Sequence, residues 1–188
     1  MSNAPQRALI EFRNGFVNGP LASPLVPRPL RRWVLRTLGY DVHPRAGIAE
    51  RCFIGSRLVS FAEGSFVNVG CFFDGNARVR LGAGVQIGMH TVFVTASHEI
   101  SEQRDRRAGA NTAAPIDVED GVWIGARATI LPGVVIGRST VIGAGALVVK
   151  SCEADSVYFG SPARKIRSLA QIPTRKFQPD HPYTVPAS

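Results

Sequence analysis

A branched aliphatic residue returns every six positions through much of this chain. From Val118 the sixes read VEDGVW, IGARAT, ILPGVV, IGRSTV, IGAGAL and VVKSCE, opening on Val118, Ile124, Ile130, Ile136, Ile142 and Val148. Glycine follows the aliphatic in three of the six, at Gly125, Gly137 and Gly143. An upstream block does the same from Leu81, Ile87 and Phe93, and weaker sixes start at Phe61, Val67 and Phe73 and at Val42, Ile48 and Ile54. An α-helix is the wrong solution, because its apolar face recurs near 3.6 residues. A short strand with two-residue alternation, followed by a tight turn, does fit a period of six. Three such units close one coil of a triangular prism. The aliphatics fill its axis, the glycines permit the corners, and backbone groups pair between stacked coils. The fold class read from this pattern is mainly β, a left-handed parallel β-helix, which departs from the usual right-handed crossover.

A stack of coils leaves unpaired edges at its ends and needs caps. Residues 29–38, PLRRWVLRTL, set Leu30, Trp33, Val34 and Leu38 on one helical face and Arg31, Arg32 and Arg36 largely elsewhere. This predicts a short helix that covers the N-terminal end with its apolar face. The other reading of the same pattern is a basic amphipathic helix on a membrane surface. After Gly160, SPARKIRSLA is expected to form a short helix with Pro162 in its first turn. The proline-rich stretch 173–188 reads as an arm or tail. The chain therefore divides into residues 1–41, an N-terminal segment with a capping helix; 42–159, the β-helix with a loop extruded at 99–115; and 160–188, a short helix and tail.

Lys and Arg outnumber Asp and Glu by 22 to 14, a net charge of +8. That balance suits an anionic partner: nucleic acid, an anionic membrane surface or a phosphorylated small molecule. Aromatic residues are not interleaved with the basic ones, which argues against nucleic acid. No run reaches the roughly 18 apolar residues of a membrane span, so no stable membrane insertion is expected. Cys52, Cys71 and Cys152 match no zinc spacing and no signal peptide is recognised, which points to a reduced, cytoplasmic setting.

The rhythm breaks at FVTASHEI. After Ser97 and His98 come about seventeen residues without hexad phase, EISEQRDRRAGANTAAP, and the repeat resumes near Ile116. A loop leaving a rigid scaffold is where function concentrates, and a histidine at its root is both held and accessible.

The hexads, the run DVEDGVWIGARATILPGVVIGRSTVIGAGALVVK and the closing GSPARKIR resemble the hexapeptide-repeat acyltransferases. The similarity is greatest to the branch holding maltose and galactoside, streptogramin and polysaccharide O-acetyltransferases, and it runs from about residue 61 to residue 167. It implies a homotrimer, acetyl-CoA as donor and cosubstrate, no metal, and active sites in clefts between subunits. Its catalytic histidine falls on His98, as general base for direct transfer to a carbohydrate-type hydroxyl; an imidazole suits that task because its ordinary pKa lies near neutrality. Glu99 is placed to orient the ring or meet the acceptor. Asn68, in SFVNVGCFF, resembles the asparagine that holds acceptor and histidine. Where the family often has an aspartate seven residues further on, this chain has Gly75, with Asp74 beside it as the substitute.

For the donor, Trp123 resembles the tryptophan lying along the pantetheine arm, and Gly125, Ala126 and Ala144 resemble the small residues of its channel. Lys150, Arg164 and Arg167 are the matching phosphate-binding cations. Val149 and Ser151 flank the lysine where the family frequently has Thr and Asp. In the loop, Arg104, Arg106 and Arg107 surround Asp105, suited either to an anionic acceptor or to ion pairs between subunits. Alternative activities are N-acylation of an amino-sugar nucleotide and antibiotic acetylation. A γ-carbonic-anhydrase-like metalloenzyme needs three converging histidines, and of His43, His90, His98 and His181 only His90 and His98 fall in the central coils.

Overall fold

In the computed structural model, which describes residues 4–169, the hexads become the coils of a parallel β-solenoid. Two helices precede it, α1 (Ala4–Asn18) and α2 (Arg28–Thr37), joined through a short 3-10 turn at Pro20–Ala22. The first coil holds β1 (Asp41–Val42), β2 (Gly47–Ile48) and β3 (Phe53–Ile54), and the second β4 (Val59–Phe61), β5 (Phe66–Val67) and β6 (Phe72–Phe73). The third holds β7 (Val79–Leu81), β8 (Gln86–Ile87) and β9 (Val92–Phe93). A two-stranded ribbon then leaves the prism, β10 (Ala96–Ile100) and β11 (Ala108–Ala113). The fourth coil is β12 (Ile116–Val118), β13 (Trp123–Ile124) and β14 (Thr129–Ile130), and the fifth β15 (Val135–Ile136), β16 (Val141–Ile142) and β17 (Leu147–Val148). Last come β18 (Ser156–Phe159) and β19 (Arg164–Ser168).

Three parallel sheets result. Sheet 1 runs β1-β4-β7-β12-β15 and sheet 3 runs β3-β6-β9-β14-β17. Sheet 2 runs β2-β5-β8-β13-β16-β18, with β19 antiparallel on its edge. Every hexad-opening residue from Val42 to Val148 is at most 5% exposed. Burying each large aliphatic contributes roughly 1.5–3 kcal/mol, and in-register stacking puts them all on one axis. Where sheet 3 meets the axis in the middle coils, Phe73 and Phe93 stack at 4.7 Å and Phe61 meets Phe73 edge-on at 5.8 Å. Phe93, the last apolar position before the break, points inside as the pattern requires.

The coils are not equally regular. In the fourth and fifth, Trp123 pairs with Val141 and Thr129 with Leu147, an offset of 18, three clean hexads. Between the first and second coils the offset is 19 (Phe53 with Phe72), and between the second and third it is 20 (Phe72 with Val92). The third and fourth are 37 apart (Val92 with Thr129). All the extra residues sit at one edge, the corner from sheet 3 to sheet 1, and the ribbon is the largest of these insertions.

Both ends differ from the expectation. The helix predicted over residues 29–38 forms, but only half of its apolar face packs: Val34 and Leu38 lie half-buried against the core, and one of the helix's two buried positions is an arginine. Arg31 is 3% exposed while Trp33 is 62% exposed and Leu30 is exposed too. The first coil ends in carbonyls with no preceding strand to bond them, and an arginine carries five donors for such a site. The Arg31 guanidinium donates to the carbonyls of Leu21 (2.9 Å), Ile48 (3.0 Å), Ser23 (2.7 Å) and Val26 (3.0 Å), with Leu35 packed beside it. Burial lowers its pKa, partly opposed by Cys52 and Glu50. Helix α1 completes the cap: Asn18 bonds the amide and carbonyl of Ile54, and Asn14 bonds the carbonyl of Gly55.

At the C-terminal end the expected helix after Gly160 is instead strand β19, folded back antiparallel on β18. The open edge of the last strand offers a ladder of backbone partners, and that ladder outweighs local helix propensity. The tail predicted at 173–188 lies outside the described residues.

Candidate functional site

The break in the rhythm is a ribbon rather than an irregular loop, and it begins at Ala96, so His98 stands third in its outgoing strand. His98 pairs with Asn111, and then the register shifts, because two residues, Gly109 and Ala110, lie opposite Glu99 alone. Bulges of this kind re-aim groups on their strand. Here the Gly109 carbonyl lies 3.3 Å from His98 Nδ1. A carbonyl oxygen only accepts, so Nδ1 is the donor of this contact, and in the neutral ring that places the lone pair on Nε2. Glu99 occupies the next position along the strand and is exposed, while the ring contact given to His98 is that of the Gly109 carbonyl.

His98 borders a concavity of about 360 Å³ whose other walls are Asn76, Ala96, Ser97, Asn111, Thr112 and Ala113. Its lining is rich in amides and hydroxyls and holds no Asp, Glu, Lys or Arg. Asp74 anchors the ribbon to the solenoid below this hollow. Its carboxylate accepts from the amides of Thr95 (2.7 Å), Ala96 (3.0 Å) and Asn76 (3.3 Å), and from the fully buried Thr95 hydroxyl. Burial pushes the Asp74 carboxyl up, but these hydrogen bonds prevail and hold it below the usual carboxylate range. Both of its oxygens are therefore already engaged.

Asn68 lies half-buried at the corner from sheet 2 to sheet 3 in the second coil, with its Oδ1 accepting from the Val69 amide. Ala126 and Ala144 occupy the same edge two and three coils further on. Gly125 is required there by packing alone, since a Cβ on it would stand 2.5 Å from the Ala144 amide. Trp123 is 58% exposed on the outer face of sheet 2, in register with Gln86 and Val141. That column continues through Val157 to Arg167. A bulge between Val157 and Tyr158 makes Arg167 pair with Val157, Lys165 with Tyr158 and Arg164 with Phe159. Paired residues share a face, so Arg164 and Arg167 stand on the outer side with Trp123. Lys165 stands on the other and forms an ion pair with Glu153 at 2.6 Å.

One chain thus brings Trp123, Gly125, Ala126, Ala144, Arg164 and Arg167 into a continuous strip along sheet 2 and its edge with sheet 3. Lys150 and His98 lie on the opposite edge of sheet 3. A hexad side spans on the order of 15 Å, too far for an imidazole to meet Asn68 or the strip within a single chain. His90 sits on the Asn68 edge in a left-handed corner (φ 58°), packed over Gly70. Among the described residues no three His, Cys, Asp or Glu side chains gather as metal ligands; His181 lies outside those residues. The sequence reading missed the Gly109 carbonyl, Thr95 and the two asparagines of the hollow. A backbone carbonyl leaves no sequence signal, although the lone glycine in AGANT marks where the bulge forms.

Residues 115–150 match the family described as bacterial transferase hexapeptide (six repeats). Along nearly its whole length the chain is similar to a hexapeptide-repeat acetyltransferase of Vibrio cholerae O1 biovar eltor solved with acetyl coenzyme A. The two are 30% identical with a TM-score of 0.72, covering 88% of this chain and 90% of that one. The chain belongs to the hexapeptide-repeat acetyltransferase family. A maltose O-acetyltransferase of Clostridium difficile 630 shares the fold at 27% identity and a TM-score of 0.71, over 88% of this chain and 87% of that one. The galactoside O-acetyltransferase of Lactococcus lactis is 34% identical over 130 residues, 65% of this chain. This hexapeptide-repeat protein spans 62% of that relative's length, and 53% of that of a Schizosaccharomyces pombe relative it matches at 38% identity. No helix among the described residues is long and apolar enough to cross a membrane.

Proposed function

We propose that the protein is an acetyl-CoA-dependent O-acetyltransferase of the cytoplasm. It acts as a homotrimer on a hydroxyl of a carbohydrate-type acceptor, with His98 as general base. The observation that carries this reading is the Nδ1 contact of His98 with the Gly109 carbonyl at the mouth of an uncharged, amide- and hydroxyl-lined hollow. With Nδ1 engaged as donor, Nε2 is the free base that can take a proton from an attacking hydroxyl. Asn76, Asn111, Ser97 and Thr112 offer the donors and acceptors a polyhydroxylated ligand needs.

Acetyl-CoA supplies an activated acyl thioester. The strip on sheet 2 fits such a cosubstrate: small residues at Gly125, Ala126 and Ala144 admit a chain close to the backbone, Trp123 gives it an apolar wall, and Arg164 and Arg167 face outward as phosphate partners. Lys150 joins them from the next corner of a neighbouring copy. Asn68 holds the acceptor and Asp74 holds the ribbon. Because the base and the strip lie on opposite edges of sheet 3, a complete site takes His98 from one copy and the strip and Asn68 from the next. The outer face of sheet 3 supports that assembly. Its column of Phe53, Phe72, Val92, Thr129 and Leu147 carries no charge, and Phe53 and Phe72 stack at 4.6 Å while partly exposed.

The test is thiol release from acetyl-CoA across a panel of sugars, amino-sugar nucleotides and streptogramins. Hydroxyl acceptors should turn over and His98→Ala should stop them, while the mass of the trimer and the affinity for CoA stay unchanged. Turnover by His98→Ala near the parent rate, or turnover confined to amine acceptors, contradicts the reading.

A further inference from the structure

The N-terminal end of the solenoid is built unlike the rest of the surface. Residues 1–58 hold nine arginines and three acidic residues, a net of +6 out of the chain's +8. Because Arg31 and Leu35 face the first coil, α2 turns Leu30, Trp33 and Thr37 outward, one stripe at three- and four-residue spacing, with exposed Arg36 beside it. Helix α1 does the same on its far side. Val17, Asn14 and Asn18 meet the solenoid, leaving Leu9 (69%), Phe12 (75%) and Phe16 exposed in a second stripe. A groove of about 390 Å³ joins the two, with Leu9, Phe12 and Phe16 on one side, Thr37 and Leu38 on the other, and Arg13 and Arg57 in its walls. Glu11, two positions from Leu9, falls on the opposite side of α1.

We propose that this end of the molecule docks on an anionic lipid bilayer, as a peripheral surface rather than a span. Two short helices at this end, with exposed aromatic and aliphatic side chains and arginines beside them, have the composition of an interfacial anchor. The charge selects the occupant. The charged residues lining the groove are Arg13 and Arg57, and Arg36 stands beside the α2 stripe, so a second copy presenting the same face would set cation against cation, whereas phosphate headgroups complement them and acyl chains take Trp33, Phe12 and Leu9. The same aliphatic character disfavours nucleic acid, which wants stacking faces and a polar groove. The ribbon leaves the solenoid two coils further along, on the order of 10 Å up its axis, so an enzyme held this way carries its acceptor hollow just above the interface. Its natural acceptor would then be found at, or carried on, that membrane surface.

The full chain is mixed with phosphatidylcholine vesicles and with mixed phosphatidylcholine–phosphatidylglycerol vesicles, and bound protein is measured by flotation. Binding to the anionic vesicles should be tighter by roughly a hundredfold if about three arginines approach the headgroups, and it should fall as salt is raised. Arg36→Gln with Arg57→Gln should remove most of that preference, and Phe12→Ser with Trp33→Ser should weaken binding by at least roughly tenfold; both pairs are exposed, and circular dichroism checks that the fold is kept. In a Trp123→Phe background Trp33 is the sole indole of the chain's two, and its emission should shift to the blue on anionic vesicles alone. Absence of flotation, or equal flotation with both vesicles, overturns the proposal. If Phe12→Ser with Trp33→Ser instead lowers the oligomer mass while no vesicle binds, the occupant is a second copy and the lipid reading is wrong.

Discussion

The corner from sheet 3 to sheet 1 is built in two ways in the same molecule. In the fourth coil it is four residues, Leu131 to Val134, and the pairing offset stays at 18. In the third coil the same corner swells to the ribbon and its connections, residues 94–115. Yet β9 and β14 pair across the insertion as cleanly as any other neighbours, Val92 with Thr129 and Phe93 with Ile130. The contrast separates two tasks. Axial packing of Ile, Val and Phe fixes the prism, and it is indifferent to what happens outside a corner, so a corner can grow without cost to the core. What grows there has little apolar burial of its own: Ile100 on β10 is 87% exposed. The ribbon is held at its root by polar contacts at Asp74 and Thr95, and a lone two-stranded ribbon is marginally stable in water. The neighbouring copy in the proposed trimer would cover it.

The largest effect should come from the ribbon side of this contrast. His98→Ala should lower turnover by roughly 10²–10⁴-fold, the usual span for a lost general base, in the thiol-release assay. Its thermal unfolding should match the parent, because an exposed side chain is removed. A large drop in melting temperature would mean that the ribbon is part of the structural frame after all. On the prism side, Ile130→Ala should cost about 2–5 kcal/mol, read by denaturant unfolding, since Ile130 is wholly buried. Its effect on whatever turnover remains in the folded fraction should be small.

The root of the ribbon joins the two regimes and should respond to both mutation and acid. Asp74→Asn should cost about 1–3 kcal/mol locally, seen as faster amide exchange at Thr95, Ala96 and Asn76 with the fifth coil unaffected. Because the folded-state pKa of Asp74 is depressed, its contribution is complete above the ordinary aspartate value near 3.9 and disappears as pH falls through the lowered value. Acid should therefore loosen the parent ribbon but change little more in Asp74→Asn. Equal acid sensitivity in both would remove Asp74 as the anchor. The smallest effect belongs to the strip. Arg164→Ala should weaken CoA binding by roughly tenfold, measured by calorimetry, and Lys165→Ala should change it less because Lys165 faces Glu153. The reverse ranking would show that the β19 bulge does not set which cation serves the donor.

Much of this was legible in the letters. A residue that must be buried repeats with the geometry that buries it, so Val42, Ile124 or Val148 could be assigned to the axis from spacing alone, and the position of His98 followed from where the spacing fails. The family resemblance singled out Trp123, Arg164 and Arg167, and the structure sets those three on one outer face. Other features depended on contacts between segments far apart in sequence. Helix α2 has a readable apolar face at Leu30 and Trp33, but the helix turned that face outward because the carbonyls of Leu21, Ser23, Val26 and Ile48 needed the donors of Arg31 more than the coil needed another indole. Residues after Gly160 became a strand because an open sheet edge was waiting for them. The Gly109 carbonyl that fixes the tautomer of His98 has no side chain to announce it. Period and burial are local properties repeated along the chain, and the sequence by itself determined them. Pairing of unsatisfied backbone groups is settled only once the coils are stacked, and tertiary structure alone decided the caps, the bulges and the orientation of the base.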